Sequence, residues 1–341
     1  MLNNTIEYNI TEQSTKESNE IGQKKITQEE LNEILGKILL NMFRIIDLSN
    51  LDLSGLDLQN RKLQYANFKN SNLSGANLKG AYLKFSNFEN ANLQGANLEE
   101  VILADSNLRN ANLSDANLEK TCFIRSKLER ANLEGSDLEK ADFKDAKLMY
   151  ANLGNTNLED VNFEDANLEN ANLNKSFLSW TNLEDANLEN ANLRESKLYS
   201  HTKFINTNLK NADLSECEAF NIKFIDANLH NAKLINIKLH GSVCERVNFN
   251  DANLSGASMY KTSFGGSNLL GANLENADLS EAYIKYAKID EEYLNKLAEQ
   301  NTKECTKEFN EIKRKKITQE ELDEILELHE QYLESYGRDG G

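Results

Sequence analysis

Residues 66–100 read ANFKN SNLSG ANLKG AYLKF SNFEN ANLQG ANLEE when the chain is written in fives. A large residue, almost always apolar, stands third in each group, a small residue usually stands first, and Asn or Asp usually stands between them. The rhythm reaches back to Leu48 and forward to Leu198 without a miss. One additional residue then enters, and the rhythm resumes at Phe204 and runs to Ile289, which makes 49 groups in all.

This period of five fits neither of the regular elements, since a helix repeats every 3.6 residues and a strand every two. We expect instead a chain that turns a corner every five residues. The large and the small residue of each group point inward, and the other three point outward. A single coil of this kind could not bury its apolar edge, so the coils must stack on one another into an all-β solenoid.

The sequence resembles the pentapeptide-repeat family, whose motif is A(D/N)LXX, from position 47 to about position 294. Residues 91–95 (ANLQG) and 141–145 (ADFKD) carry the motif. The resemblance implies a right-handed quadrilateral β-helix with four groups per coil, and therefore about 12 coils. We expect three segments, listed in chain order: an N-terminal extension with a capping helix at 1–46, the repeat domain at 47–294, and a C-terminal helical segment at 295–341.

The two ends carry the same helix signal. Residues 15–35 and 306–326 are nearly identical, and each contains a capping box, which begins at Thr27 in the first copy and at Thr318 in the second. Apolar residues then recur at helical spacing. We expect the N-terminal helix to close the first coil, because solenoid ends expose unpaired backbone. A shorter helix that begins near Asp290 is expected to close the last coil.

The second copy of this helix has three interpretations. It can be a dimerisation element, an additional cap, or the start of a further module. We favour dimerisation, which predicts a homodimer held together by the apolar stripe of the helix. The stripe consists of Leu322, Ile325, Leu326 and Leu333.

The composition narrows the range of functions. The chain has 55 acidic and 38 basic residues and a net charge of −17, which argues against direct binding of nucleic acid. No apolar run is long enough for a transmembrane helix, and the first residues lack the layout of a signal peptide. Four cysteines without CxxC spacing favour a reducing compartment. We therefore expect an acidic, soluble protein of the cytoplasm.

Residues typical of catalysis are scattered. The sequence contains no GxGxxG, Walker, nucleophile-elbow or HExxH motif. His240 and Cys244 are close in sequence, but Cys244 occupies an inward position and His240 an outward one, which disfavours a metal site. Glycines such as Gly55 and Gly75 fall at the corner position, where they suit a turn. We expect no enzymatic activity, no cofactor and no metal.

One outward surface is acidic, at positions 156–195, and we call it the acidic belt. Residues 20 apart share a face on adjacent coils, so like charges lie next to each other there. The carboxylates can simply keep the rod in solution, or the paired ones can hold cations. The candidate residues are Glu159, Asp160, Glu164, Asp165, Glu169, Glu184, Asp185 and Glu189.

A third interpretation of the acidic belt is mimicry of DNA. Some members of the family resemble duplex DNA in shape and charge, and they bind DNA gyrase or protect it from quinolones. The belt matches the duplex density of one charge per about 1.7 Å of axis. The solenoid as a whole is too weakly charged for a full duplex mimic, and it lacks the projecting loops of the quinolone-resistance members.

A second outward surface is apolar. It consists of Tyr65, Tyr82, Phe85 and Ile102, joined by Cys122 and Ile124. Exposed apolar stripes often mark contacts. Either the N-terminal segment with Ile6, Tyr8 and Ile10 covers this stripe, or a separate partner does. Phe177 and Trp180 are read as single outward aromatics without a particular role.

These observations favour a non-enzymatic scaffold that displays side chains on flat faces to a protein partner. The alternative is a modulator of a DNA topoisomerase that acts through the acidic belt, by gyrase inhibition or quinolone protection. The sequence names no partner for either function.

Overall fold

The structure is a computed structural model, and it describes residues 23–39, 46–199 and 201–294. The chain divides into two compact units, Met1–Tyr293 and Leu294–Gly341. Of the second unit only Leu294 belongs to the described residues. Two sets of residues singled out by the sequence therefore lie outside them: the N-terminal Ile6, Tyr8 and Ile10, and the proposed dimerisation residues Leu322, Ile325, Leu326 and Leu333.

The repeat builds four faces. Parallel bridges join residues 20 apart, and they begin with four pairs that define face 1 to face 4 in chain order: Asp47↔Asn67, Asp52↔Asn72, Asp57↔Asn77 and Lys62↔Tyr82. Each face continues through the residues 20 further along. The predicted stacking of residues 20 apart is thus confirmed, and the stack is a β-solenoid.

On each face, most neighbouring coils are joined by one isolated β-bridge. Short strands form where two or three consecutive residues pair. All pairs are parallel: β1 with β2, β3 with β5, and β4 with β6, which also pairs with β7. The bounds are β1 Lys24–Lys25, β2 Leu51–Asp52, β3 Lys197–Leu198, β4 Lys203–Ile205, β5 Glu218–Ala219, β6 Lys223–Ile225 and β7 Val243–Glu245. The helix α1 spans Gln28–Leu39, and residues 291–294 are also helical.

The core is a stack of apolar side chains inside the four faces. The large residue of nearly every group is buried, and so in most groups is the small residue two positions before it; Phe88 and Ser86 are examples. Phenylalanines at the same position of successive coils stack face to face. Phe143 lies between Phe123 and Phe163, with ring centroids 4.6 and 5.0 Å apart. The inward orientation predicted from the period is confirmed.

The corners depend on left-handed backbone. The second residue after each core residue has a positive φ, for example 57° at Asn50 and 70° at Gly55. The Leu56 backbone N–H donates to the Leu53 carbonyl across the corner, at 3.2 Å. A positive φ at the third position is typical of type II turns, and Gly and Asn adopt it at the lowest cost. The turn role predicted for the corner glycines is confirmed.

Asparagine side chains join the coils on the outside. On face 2 each side-chain amide donates to the side-chain oxygen of the residue one coil before it, at 2.8–3.1 Å. The oxygen also accepts the backbone N–H two residues further on, as Asn72 does from Ser74 at 3.2 Å. We call this row the face 2 asparagine ladder: Asp52, Asn72, Asn92, Asn112, Asn132, Asn152, Asn172 and Asn192.

The additional residue after Leu198 is absorbed at one corner. Leu198 and Phe204 on either side of it are both buried, so the core continues without a gap. Pairing across this coil joins residues 21 apart, as in Lys197↔Glu218, and returns to 20 at Glu218↔Lys238.

The segment before the repeat lies against the first coil. β1 extends face 2 by one strand, and the side chain of Gln28 bonds both backbone groups of Asp57 on face 3. Its amide donates to the Asp57 carbonyl at 3.1 Å, and its oxygen accepts the Asp57 N–H at 2.8 Å. Gln28 thereby takes the place of the backbone that a preceding coil would supply.

The predicted capping box starts α1. The Thr27 N–H donates to the Glu30 carboxylate at 2.7 Å, and the Glu30 N–H donates to the Thr27 hydroxyl at 3.2 Å. Leu31 and Leu35 are buried, so one side of the helix faces the core. Within the described residues no helix is long and apolar enough to cross a membrane.

Candidate interaction surfaces

The acidic belt extends over three faces. Glu164 and Glu184 occupy equivalent positions on adjacent coils of face 4, where their backbones are joined through the Asp165 N–H and the Glu184 carbonyl at 3.1 Å. Glu169 and Glu189 are equivalent on face 1, and their backbones are joined by the bond from the Asn170 N–H to the Glu189 carbonyl. Two other belt residues, Glu159 and Asp160, lie on face 3. The structure thus brings the predicted pairs together on faces 4 and 1.

Lysines from neighbouring coils neutralise part of the belt. Lys144 forms an ion pair with Glu164, and Lys210 forms one with Glu189 at 3.3 Å. The hydrogen bond to Glu164 is the largest cause that raises the pKa of Lys144. Glu184 and Asp185 have no ion pair within 4.0 Å in the described part of the chain. No group of three or more His, Cys, Asp or Glu residues that could hold a metal ion occurs among the described residues.

The apolar stripe lies on face 4 as the sequence predicts. Tyr65 and Phe85 stack with ring centroids 5.0 Å apart and an angle of 13° between the rings. Their side chains are 59% and 43% exposed. Tyr82, Ile102 and Cys122 form consecutive bridges beside them. The stripe therefore consists of two apolar rows over the first coils, with the ion pair of Lys84 and Asp105 beside them.

A second row of aromatic side chains runs along face 3. Successive members from Phe177 to Tyr260 have ring centroids 5.9, 5.9, 5.3 and 6.3 Å apart. Beside this row, the rings of Trp180 and His201 stack with their centroids 4.1 Å apart and an angle of 10° between the ring planes. We call this surface the face 3 aromatic ladder: Phe177, Trp180, Tyr199, His201, Phe220, His240 and Tyr260.

The ladder corrects the expectation that Phe177 and Trp180 are single aromatics. Phe177 contacts Tyr199 and Trp180 contacts His201, in each case across the coil that holds the additional residue. That residue moves the partner of Trp180 by one position, to His201, whereas Phe177 and Tyr199 are 22 apart because they occupy different positions of their groups. A search for aromatic residues 21 apart at this one coil finds the row, since Phe220 follows Tyr199 at that distance.

Polar contacts hold the ladder in place. The Tyr199 hydroxyl donates to Glu218, which also accepts from Lys238 at 2.9 Å. The bond to Glu218, together with burial, raises the pKa of Tyr199 to about 12. His240 Nε2 lies 2.7 Å from the Ser258 hydroxyl. These rings are thus presented in defined positions.

Glutamates continue the same face toward the N-terminus. Glu99, Glu119, Glu139 and Glu159 occupy the position that the ladder occupies on later coils. Lysines accompany them: Lys79 pairs with Glu99 at 2.7 Å, and Lys120 pairs with Glu119 at 2.6 Å. At this position face 3 therefore changes from glutamates to aromatic rings between Glu159 and Tyr199, with Ser179 on the coil between them.

The described cysteines are not activated nucleophiles. Burial raises the pKa of Cys217 to about 12, and it also raises the pKa values of Cys244 and Cys122. A thiol reacts as the thiolate, and a raised pKa depletes the thiolate at neutral pH.

Comparison with known proteins identifies the repeat. A family model described as "Pentapeptide repeat region" matches residues 116–198. A second, described as "Pentapeptide repeats (8 copies)", matches residues 47–90, 91–130, 227–266 and 258–291. A search of curated proteins returns no match.

Several solved structures with similarity are themselves pentapeptide repeat proteins. HetL, involved in heterocyst differentiation regulation in the cyanobacterium Nostoc sp. strain PCC 7120, is 26% identical over 75% of this chain and 95% of HetL, with a TM-score of 0.28. QnrB1, a plasmid-mediated fluoroquinolone resistance protein, is 17% identical over 54% of this chain and 89% of its own, with a TM-score of 0.26. A thylakoid lumen protein of Arabidopsis thaliana is 35% identical over 32% of this chain and 72% of its own, with a TM-score of 0.16. With the family models matching well over half of its length, the chain belongs to the pentapeptide-repeat family.

Proposed function

We propose that this protein is a non-enzymatic scaffold that binds a protein partner through aromatic side chains on the outside of the solenoid. Membership of the pentapeptide-repeat family supports a scaffold, because these proteins are generally non-enzymatic. The raised pKa values of the described thiols agree with this. A protein partner is favoured over a nucleic acid because the chain carries a net charge of −17.

The exposed aromatic rings carry this proposal. Tyr65 and Trp180 are 59% and 54% exposed, although the outward positions of the repeat are otherwise mostly polar. Each ring is stacked on a ring of the next coil, so it loses little conformational freedom on binding. Aromatic side chains fixed in this way are typical anchors of protein interfaces.

The proposal also covers the handedness of the solenoid, its number of coils and its two ends. We infer a right-handed rod of about 12 coils, with residues 1–46 closing its first coil and residues 295–341 forming a helical end. The pairing of β1 with β2 and the two bonds from Gln28 to Asp57 support the N-terminal closure. A closed rod keeps its faces flat and its coil edges unavailable to other strands.

The test is affinity capture from the native host with two surface variants. One carries Tyr65→Ser and Phe85→Ser, and the other carries Trp180→Ser and Phe220→Ser. We expect at least one of them to lose a protein that the wild type retains, as quantified by mass spectrometry. Tyr150→Ser is the matched control, because Tyr150 is 56% exposed but lies on face 1 beside Arg130. Identical captured proteins for wild type and both variants would contradict the proposal.

A second candidate is modulation of a DNA topoisomerase through the acidic belt. The stacking of Glu184 and Asp185 on Glu164 and Asp165 supports it, because three of these four carboxylates have no ion pair within 4.0 Å in the described residues. The pairing of Glu164 with Lys144 weakens it. A gyrase supercoiling assay tests the candidate, with Glu184→Gln and Asp185→Asn together as the variant. Absence of both inhibition and quinolone protection at micromolar protein would remove it.

A further inference from the structure

A shallow cavity lies on face 3 where the glutamates meet the aromatic ladder. It has a volume of about 210 Å³ and is lined by Glu139, Lys140, Glu159, Asp160 and Trp180. Three carboxylates, one ammonium group and one indole thus converge there. Because the three carboxylates outnumber the one ammonium group, the cavity carries a net negative charge beside the indole ring.

The indole is fixed and open on one side. His201 stacks on Trp180 with ring centroids 4.1 Å apart and an angle of 10°, so it covers one face of the indole. The side chain is nevertheless 54% exposed. The uncovered ring surface is on the side of the cavity, where Asp160 is the equivalent residue one coil before.

Two carboxylates of the cavity are available to a ligand. Lys140 forms an ion pair with Glu139, and this bond is the largest cause that raises the pKa of Lys140. Asp160 adds a smaller contribution to the same rise. Neither Glu159 nor Asp160 has an ion pair within 4.0 Å among the described residues. The one cation of the cavity is therefore engaged by the third carboxylate.

We propose that Trp180, Glu159 and Asp160 form a binding site for an arginine side chain of a partner protein. A guanidinium group stacks on an indole face, and it donates to carboxylates from its edge. Arginine fits better than lysine because its planar group can stack and donate at once. A nucleic acid is disfavoured because its phosphates would meet the carboxylates. This inference rests on the proposed scaffold function, and it specifies that the protein partner presents an arginine side chain.

The sole tryptophan of the chain makes this site observable, since the sequence contains one Trp. The experiment titrates the full-length protein with an acetylated, amidated peptide of sequence Gly-Arg-Gly-Arg-Gly and follows Trp180 fluorescence. Two further peptides replace arginine by lysine or by uncharged citrulline. We expect the arginine peptide to bind about tenfold or more tightly than the citrulline peptide, with the lysine peptide between them.

Two double variants distinguish binding at this site from nonspecific electrostatic attraction between the cationic peptide and an acidic protein. The double variant Glu159→Gln, Asp160→Asn is expected to bind the arginine peptide with about tenfold lower affinity than the wild type. Glu184→Gln with Asp185→Asn removes the same charge from face 4 and is expected to leave the affinity within about twofold. Calorimetry repeats the comparison without relying on fluorescence.

Three results would overturn the assignment: no response to the arginine peptide up to millimolar concentration, equal affinity for the citrulline peptide, or equal losses in the two variants. The scaffold proposal can survive such a failure. If capture from the host depends on Tyr65 and Phe85 but not on Trp180, the scaffold stands and the arginine site does not. If no surface variant affects capture, the scaffold function itself has failed.

Discussion

A single substitution in the face 2 asparagine ladder tests how the coils are joined. Asn132 donates from Nδ2 to Asn112 Oδ1 at 3.1 Å, and its Oδ1 accepts from Asn152 at 3.0 Å and from the Glu134 backbone N–H at 3.3 Å. Asn132→Asp preserves the shape and both accepted bonds. It removes the donated bond, and it places a carboxylate oxygen against the amide oxygen of Asn112.

We expect this change to lower the free energy of unfolding by about 2 kcal/mol at pH 7. The lost hydrogen bond contributes about 1 kcal/mol, and the repulsion between the two facing oxygens adds a similar amount. Because the charged form is the unfavourable one, the pKa of the introduced carboxyl is raised in the folded state. The destabilisation is therefore present above that pKa, and it disappears as the pH falls below about 4, the unfolded value.

Asp52→Asn is the matched control. Asp52 accepts from Asn72 at 2.9 Å and from the Ser54 N–H at 3.1 Å, and an asparagine oxygen can accept both bonds. Burial raises the pKa of Asp52, but hydrogen bonds from Ser54 and Asn72 and the charge of Lys25 lower it overall, so the control also loses a mild charge attraction. We expect a cost below about 0.5 kcal/mol.

Urea unfolding followed by circular dichroism measures both variants at pH 7 and at pH 4. The expected result is a large shift of the midpoint for Asn132→Asp at pH 7, a smaller shift at pH 4, and little shift for Asp52→Asn. Equal shifts for the two substitutions, or a shift for Asn132→Asp that grows in acid, would refute the reasoning.

Three further predictions concern the first coil, the thiols and the C-terminal segment. Gln28→Ala removes both bonds to Asp57 and is expected to cost about 1–2 kcal/mol, measured by thermal denaturation. Cys122 is expected to react with a disulfide reagent at pH 8 faster than Cys217, because Cys217 is fully buried and its pKa is raised to about 12. Deletion of residues 306–341 is expected to convert a dimer into a monomer in sedimentation.

Each of these predictions has a control. Gln28→Met keeps the length of the side chain but forms neither bond, so it should lower the melting temperature as much as Gln28→Ala does; an unchanged melting temperature for Gln28→Ala contradicts the proposed closure. Cys305→Ser removes a further thiol from the labelling experiment, and equal rates for Cys122 and Cys217 contradict the burial argument. Leu322→Asp keeps the length of the chain and should also give a monomer, whereas the same oligomeric state in all three proteins excludes dimerisation through this helix.

The repeat could be predicted from the sequence because its physics is local. A period of five fixes which side chains point inward, and a coil of 20 residues fixes which ones stack. The stacking of Phe143 between Phe123 and Phe163 and that of Tyr65 on Phe85 follow from those two numbers.

The parts that were missed depend on neighbours that are distant in sequence. A count of charges within 156–195 omits Lys144 and Lys210, which lie one coil away and pair with belt carboxylates. The contact of Trp180 with His201 was missed because one additional residue changes the spacing at a single coil. Gln28 bonds the backbone of Asp57, which is 29 residues further along the chain. This contact depends on how α1 packs against the first coil, and no short sequence pattern predicts that packing.

The asparagine ladder also makes face 2 of the solenoid electrically polar along the direction of stacking. Every amide of the face 2 asparagine ladder has its nitrogen toward the preceding coil and its oxygen toward the next, so the amide dipoles add head to tail. The positive end of this column meets the carboxylate of Asp52, and Asp213 follows its last amide at Asn192. A duplicated coil that carries asparagine would lengthen the column in the same direction, whereas one that carries aspartate would end it and begin another.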